Sequence, residues 1–305
     1  MKNANYYFTL ILVSFTTLFS FFHMFEIVQI SSQVISIVLN NLLPSLLPFM
    51  ILISLCLSLG LFHLLSYIIQ FIFCPLFLLT PHMASLYFVS FFCGYPTNAK
   101  LIKESYELGY INKEEIDHLL SIASFSSISF IFISLKLSFK ISLMIYICHI
   151  LPSLIKALFY SHSYTFITLK DSLKDIIYPK HNFIYHLRHS ISSSLYTFIF
   201  ILGYMLIFQF LSYSLKPFIH NSYHFVLLKG LLEFSSGAIQ LTQYQSVYIY
   251  PFICFFLSFS SLSVLLQIDN ILESIPYSFL KLLKNRLIHG IFSFILCFLY
   301  IVLTK

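Results

Sequence analysis

Residues 91–115 read FFCGYPTNAKLIKESYELGYINKEE, and the organisation of the chain turns on them. Three lysines and four glutamates are gathered here, between segments apolar enough to sit in lipid. Gly94 permits a tight backbone and Pro96 fixes φ in a turn. Thr97 or Asn98 then caps a helix expected over 99–108, which Gly109 ends. Asn112 caps another, with Glu114 and Glu115 in its first turn. The stretch is a polar, helix-breaking hairpin. Its return helix opens with unpaired N–H groups and a positive dipole end, and Lys100 stands alongside, which is chemistry that accepts an anion. A surface hairpin whose lysine sits in water is the other reading.

Outward from the hairpin the sequence is greasy. Of 305 residues, 59% are hydrophobic and 9% charged, against about 25% charged in a soluble domain; mean hydropathy is +0.89. Segment after segment approaches the ~20 apolar residues needed to cross a bilayer. The expectation is an all-α polytopic membrane protein whose partner is the lipid bilayer, with about eight to ten membrane segments, two re-entrant helical hairpins and discontinuous helices among them. The first segment, within 1–30, has only Lys2 as a basic region, and Phe19 to His23 offer no small-x-small cleavage site, so an uncleaved transmembrane helix is expected. The six cysteines stand singly with no CxxC spacing, which supports neither zinc nor a disulfide framework and leaves inert thiols. The formal charge of +6 forms no stripe suited to nucleic acid. Lys170, Lys174, Lys180 and Arg188 mark 161–189 as a cytoplasmic connection. With no tryptophan, the 21 tyrosines supply any interfacial belt.

Several apolar segments are interrupted. NNLLPSLLPF, from Asn40, holds Pro44 and Pro48 and should be kinked or partly unwound. SFSSIS at 124–129 and SFSSLS at 258–263 break two more. Broken backbone at membrane depth survives only inside protein or along a water-filled cavity, and paired breaks in two halves point to a transport site. Placing Gly94 on Ser260 sets an offset of 166 (260 − 94), at which Glu107 falls on Glu273. A two-fold internal repeat is expected on that register. Its first half is 31–160, with a hairpin near 83–117; its second is 190–305, with a hairpin near 247–280.

Glu233 is the one carboxylate in an apolar stretch, between Gly230 and Gly237, and intramembrane ionisable groups default to functional hypotheses. Pairing with Lys229 one turn earlier is its structural alternative. Ser260 and Ser261 lie in the second break. Gln267, Asp269 and Asn270 follow it, either on the return limb of a hairpin or at the interfacial end of a span. Arg286 reads as a snorkelling residue. His186 and His189 lie three apart without further ligands, so no metal is expected. No Walker loop, nucleophile elbow, HExxH or dinucleotide fingerprint occurs. The expectation is therefore no enzyme and no cofactor; a coupling proton or cation, and the oligomeric state, stay open.

The motifs NNLLPSLLPFMI, the long hairpin segment continuing to Ile122, KGLLEFSSGAIQL, SFSSLSVLLQI and RLIHG occur in that order. Together they resemble the YlbJ-like sporulation integral membrane proteins, which carry the nucleoside-recognition or Gate domain and are related in fold to concentrative nucleoside transporters. The likeness covers about Val34 to Leu303. It implies a multi-pass protein in a membrane of a sporulating bacterial cell that moves dipicolinic acid, a small aromatic dianion. By that resemblance Gly94, Pro96, Ala99 and Lys100 match the hairpin motif, Glu233 and Gly237 a Glu-containing helix, and Gln267 a second hairpin. The family tends to have glycine where this chain has Asn98, and a Gly-Gly pair at Ser260-Ser261. On this reading Lys100 binds a carboxylate, Glu233 adds a hydrogen bond or coupling site, and Gln267 with neighbouring serines meets the rest of the solute. A nucleoside-type carrier and a non-transporting membrane scaffold are the alternatives.

Overall fold

The computed structural model describes residues 2–159, 163–177 and 181–304; 161–162 and 178–180 of the expected connection, Lys180 included, lie outside them. Among the described residues there are fifteen α-helices and no strand. The N-terminal 1–30 region is not one helix. α1 (Lys2–Phe22) and α2 (Met24–Ile37) diverge by 103° at His23, whose backbone leaves the helical region (φ −118°, ψ 40°) while its Nδ1 bonds the Phe19 carbonyl at 2.9 Å. α2 continues through a π-helical turn at Val38–Leu42 into α3 (Leu43–Ser58). Pro44 and Pro48 cannot donate to the carbonyls one turn back, and the widened turn absorbs the mismatch. α4 (Leu61–Phe77) leaves at 90° after Gly60, which is left-handed at φ 77°.

α5 (Pro81–Ser90) and α6 (Thr97–Glu107) make the hairpin anticipated at Gly94-Tyr95-Pro96. His82, at the start of α5, stacks on Tyr110, just past α6, with ring centroids 5.4 Å apart, so the return limb comes back beside the outgoing one. At the tip, a Cβ on Gly94 would stand 2.9 Å from the Ser127 backbone nitrogen; only glycine fits. α7 (Lys113–Ile122) opens on a full capping box between Asn112 and Glu115. The chain is then irregular at 124–127 and makes a π-helical turn at Phe130–Ser134 before α8 (Phe139–Ala157).

On the polar connection α9 (Leu169–Ile177) is preceded by Ile167, which Gln70 of α4 holds through both its backbone groups, at 2.8 and 3.0 Å. α10 (Phe183–Leu215) is the longest helix, followed by α11 (Ser222–Leu232) and α12 (Phe234–Leu241). A Cβ on Gly237 would lie 2.2 Å from the Gly230 Cα, whereas residues seven apart on one helix are about 10 Å apart. The chain therefore reverses at Glu233. α13 (Ile249–Phe259) and α14 (Ser261–Ile271) are interrupted only at Ser260 and together form a 23-residue apolar span. The fold-back expected near 247–280 thus lies instead at Glu233. α15 (Phe279–Thr304) closes the chain.

Both halves now run fold-back, interrupted helix, long helix. Setting tip on tip, Pro96 on Glu233, gives an offset of 137 (233 − 96). The expected offset of 166 pairs a hairpin tip with an interrupted helix, because a small-residue break followed by an acid-bearing amphipathic segment occurs in both.

Among the described residues four helices are long and apolar enough to cross a membrane, six if each bent pair counts as one span. The eight to ten expected segments include re-entrant hairpins and discontinuous helices, whose short paired helices are not among these spans. Phe21, Phe25, Ile199 and Leu303 remain well exposed, as side chains facing lipid do. The architecture is that of an all-helical, multi-pass membrane protein.

Candidate functional site

Lys100 is buried on α6, but it is already engaged. Its Nζ donates to Ser194 Oγ on α10 at 2.8 Å and lies 3.6 Å from Glu104 one turn on. Glu104 in turn accepts from Ser54 of α3 at 3.2 Å and from Ser193 at 3.4 Å. The return limb is fastened to α3 and α10 by this cluster. Beside it a cavity of about 810 Å³ is lined by Glu104, Glu107, Tyr110, His181, His186 and His189, among others, within the size range of small-molecule clefts. Among the described residues no three His, Cys, Asp or Glu side chains are arranged to hold a metal.

The helix caps differ from expectation. Neither Thr97 nor Asn98 is the N-cap of α6; Pro96 occupies that position with no side-chain bond. Thr97 and Asn98 already belong to the first turn. Asn98 reaches back to the Cys93 carbonyl at 3.0 Å, tying the tip together, while its Oδ1 is buried without a partner.

The interior meeting point lies at the two breaks, and His149 of α8 joins them. The Ser126 backbone N–H donates to its Nε2 at 3.0 Å, so its Nδ1 carries the proton and donates to Ser258 Oγ at 2.7 Å. Ser258 passes the chain to Ser293 of α15 at 2.8 Å. The hairpin tip enters the same place: the Tyr95 N–H donates to the Phe125 carbonyl at 2.8 Å, its hydroxyl to the Leu257 carbonyl at 3.1 Å, and its ring packs edge-on against Phe234 at 5.1 Å. Phe234 follows the Glu233 reversal, so both tips and both breaks converge.

Arg286 stands there too. It is 0% exposed, against the expectation of snorkelling. One guanidinium nitrogen bonds the Ser258 carbonyl and another lies 3.1 Å from His289 Nδ1; His289 Nε2 donates to the His149 carbonyl at 2.7 Å. Among the described residues no carboxylate pairs with Arg286. Sequence reading missed it because Lys281 and Lys284 just before it look like an interfacial fringe. The signal available was its place seven residues into a 26-residue apolar helix, about 10 Å from the end.

Glu233 is buried in extended geometry (φ −142°, ψ 110°) and caps α12, accepting from the Ser235 and Ser236 N–H groups at 3.0 and 2.8 Å. The Ser235 hydroxyl donates to it at 2.6 Å and Gln209 of α10 at 3.4 Å; Gln209 also bonds Ser236. Gln267 bonds Ser263 one turn back at 3.1 Å. Ser260 and Ser261 are fully buried, both left-handed (φ 76° and 59°), and neither hydroxyl has a partner.

Gly94, Pro96, Ser260 and Ser261 are thus brought to the centre, with Glu233 at its edge. Lys100 is not. Its partner Ser194 and the Glu233 partner Gln209 are fifteen residues apart on α10, about 22 Å along the axis. One small solute cannot touch both. The chain matches no family model and no curated protein.

Proposed function

We propose that this protein is a permease for a small anionic solute, dipicolinate in a sporulating bacterial cell being the leading substrate. The observation that carries the reading is the convergence, inside an all-helical membrane protein, of two interrupted helices and two fold-backs on buried polar groups that lack protein partners. Irregular backbone at membrane depth is tolerated where it lines a solute path. The five ordered motifs that resemble those of the YlbJ-like proteins support this choice of substrate and cellular setting. Both hairpins are then re-entrant, and the 810 Å³ cavity beside Glu104 is an approach from one face of the membrane.

The experiment is uptake of labelled dipicolinate into proteoliposomes holding this protein alone. Saturable uptake is expected, reduced at least about tenfold by Glu233→Gln, since a neutral side chain weakens the charge-assisted cap that fixes the second tip. Competition by uridine without dipicolinate uptake would replace the substrate by a nucleoside-type solute. No flux of either from folded protein would leave a membrane scaffold.

A further inference from the structure

Resting on the transport reading, we infer that Arg286 is the anion anchor of this site. Its guanidinium, with the Ser260 and Ser261 hydroxyls and the first amides of α14, takes one carboxylate of the solute, and Lys100 takes no part.

A fully buried guanidinium needs compensation, and no carboxylate pairs with Arg286 among the described residues. His289 gives none: its Nδ1 faces Arg286 and its Nε2 proton goes to the His149 carbonyl, so the ring is neutral. The Ser258 carbonyl lies at the end of α13, where a helix carries about half a negative charge. Roughly half a positive charge is left over.

Hydrogen-bond accounting agrees. Arg286 Nε is buried and without a partner, as are the hydroxyls of Ser260 and Ser261, two and three residues past the carbonyl that Arg286 grips. A carboxylate has two oxygens and about four lone-pair sites, and these three N–H and O–H groups are donors for it. The N-terminus of α14 starts here with no side-chain cap, adding N–H groups and a positive dipole end. Both serines hold a left-handed backbone that glycine adopts freely; what serine adds there is a hydroxyl. Alongside stand Tyr95 and Phe234, in mutual ring contact, so the solute class is a carboxylate on a planar apolar body. Lys100 is already engaged by Glu104 and Ser194.

The test is equilibrium binding of dipicolinate to the full-length protein in detergent, with Lys281→Ala, at an exposed site, as control. Arg286→Gln should weaken binding about 100-fold and Arg286→Lys about tenfold, since lysine keeps the charge and loses the fork. The double variant Ser260→Gly, Ser261→Gly should bind about tenfold more weakly while melting higher. If Arg286→Gln does not fold, the serine double variant decides. Wild-type affinity in a folded Arg286→Gln protein, or in the double serine variant where Arg286→Gln does not fold, overturns the anchor and leaves the permease standing; so does loss of binding confined to Lys100→Gln. Binding of uridine and not dipicolinate by wild type overturns anchor and anionic substrate together.

Discussion

Residues 124–129 and 258–263 read SFSSIS and SFSSLS and differ only at Ile128 and Leu262, yet they interrupt their helices differently. The first opens four irregular residues, 124–127, and its exposed backbone is taken up by neighbours: Tyr95 bonds the Phe125 carbonyl, His149 accepts from Ser126, and the Ser127 hydroxyl accepts from the Phe130 N–H at 3.2 Å. The second opens one residue, with left-handed backbone at Ser260 and Ser261 and two hydroxyls unpartnered. The hexapeptide licenses a break without fixing its width. The wedge does that: Gly94 presses on Ser127, while no hairpin tip bonds the backbone of Ser260 or Ser261 in the same way.

The sharpest way to break the comparison is to spoil the wedge. Gly94→Val drives side-chain carbon into the Ser127 backbone and should destabilise the protein by about 3 kcal/mol or prevent folding, read as thermal melting in detergent. A Gly94→Val protein that melts like wild type would show that the tip does not hold the first break open. Next is the bridge. His149→Leu leaves the Ser126 N–H and the Ser258 hydroxyl without their shared partner and should cost about 2 kcal/mol; an unchanged melting temperature would mean the breaks are not coupled through this ring. The smallest effect is the most discriminating, because its sign reverses. Ser260→Gly relieves a left-handed serine, which costs about 1–2 kcal/mol, and should raise the melting temperature. Ser126→Gly, where φ is not positive, adds chain entropy to the unfolded state and should lower it, by roughly 0.5–1 kcal/mol of stability less whatever loss of its buried, unpartnered hydroxyl returns. Shifts of the same sign would erase the distinction between the breaks.

The first fold-back is legible because Gly94 and Pro96 announce it with residues that have few other uses. The second is not, because Glu233 is neither glycine nor proline; only the Ser235-Ser236 pair, whose N–H groups its carboxylate caps, hints that a helix starts there. The near-identical hexapeptides offer a register of their own. Aligning SFSSIS with SFSSLS gives 134 (258 − 124), close to the tip-to-tip offset and far from 166, which set the small-residue break at Gly94 on that at Ser260. The hairpin lysine looks functional because Ser194, and Ser54 through Glu104, reach it from other helices, and sequence does not show which helices will meet. Arg286 is hidden for the same reason. Its burial is decided by α13 and α8, not by its own helix.

α10 holds both fold-backs at once, one through Ser194 and the other through Gln209, as two pawls ride on one shaft. A hydrogen bond tolerates only a few tenths of an ångström of stretch, and one residue of axial slip is about 1.5 Å. Either tip can advance only if the shaft carries the other with it, or if one of these two latches lets go. For as long as both hydrogen bonds hold, the two fold-backs are therefore mechanically coupled through α10.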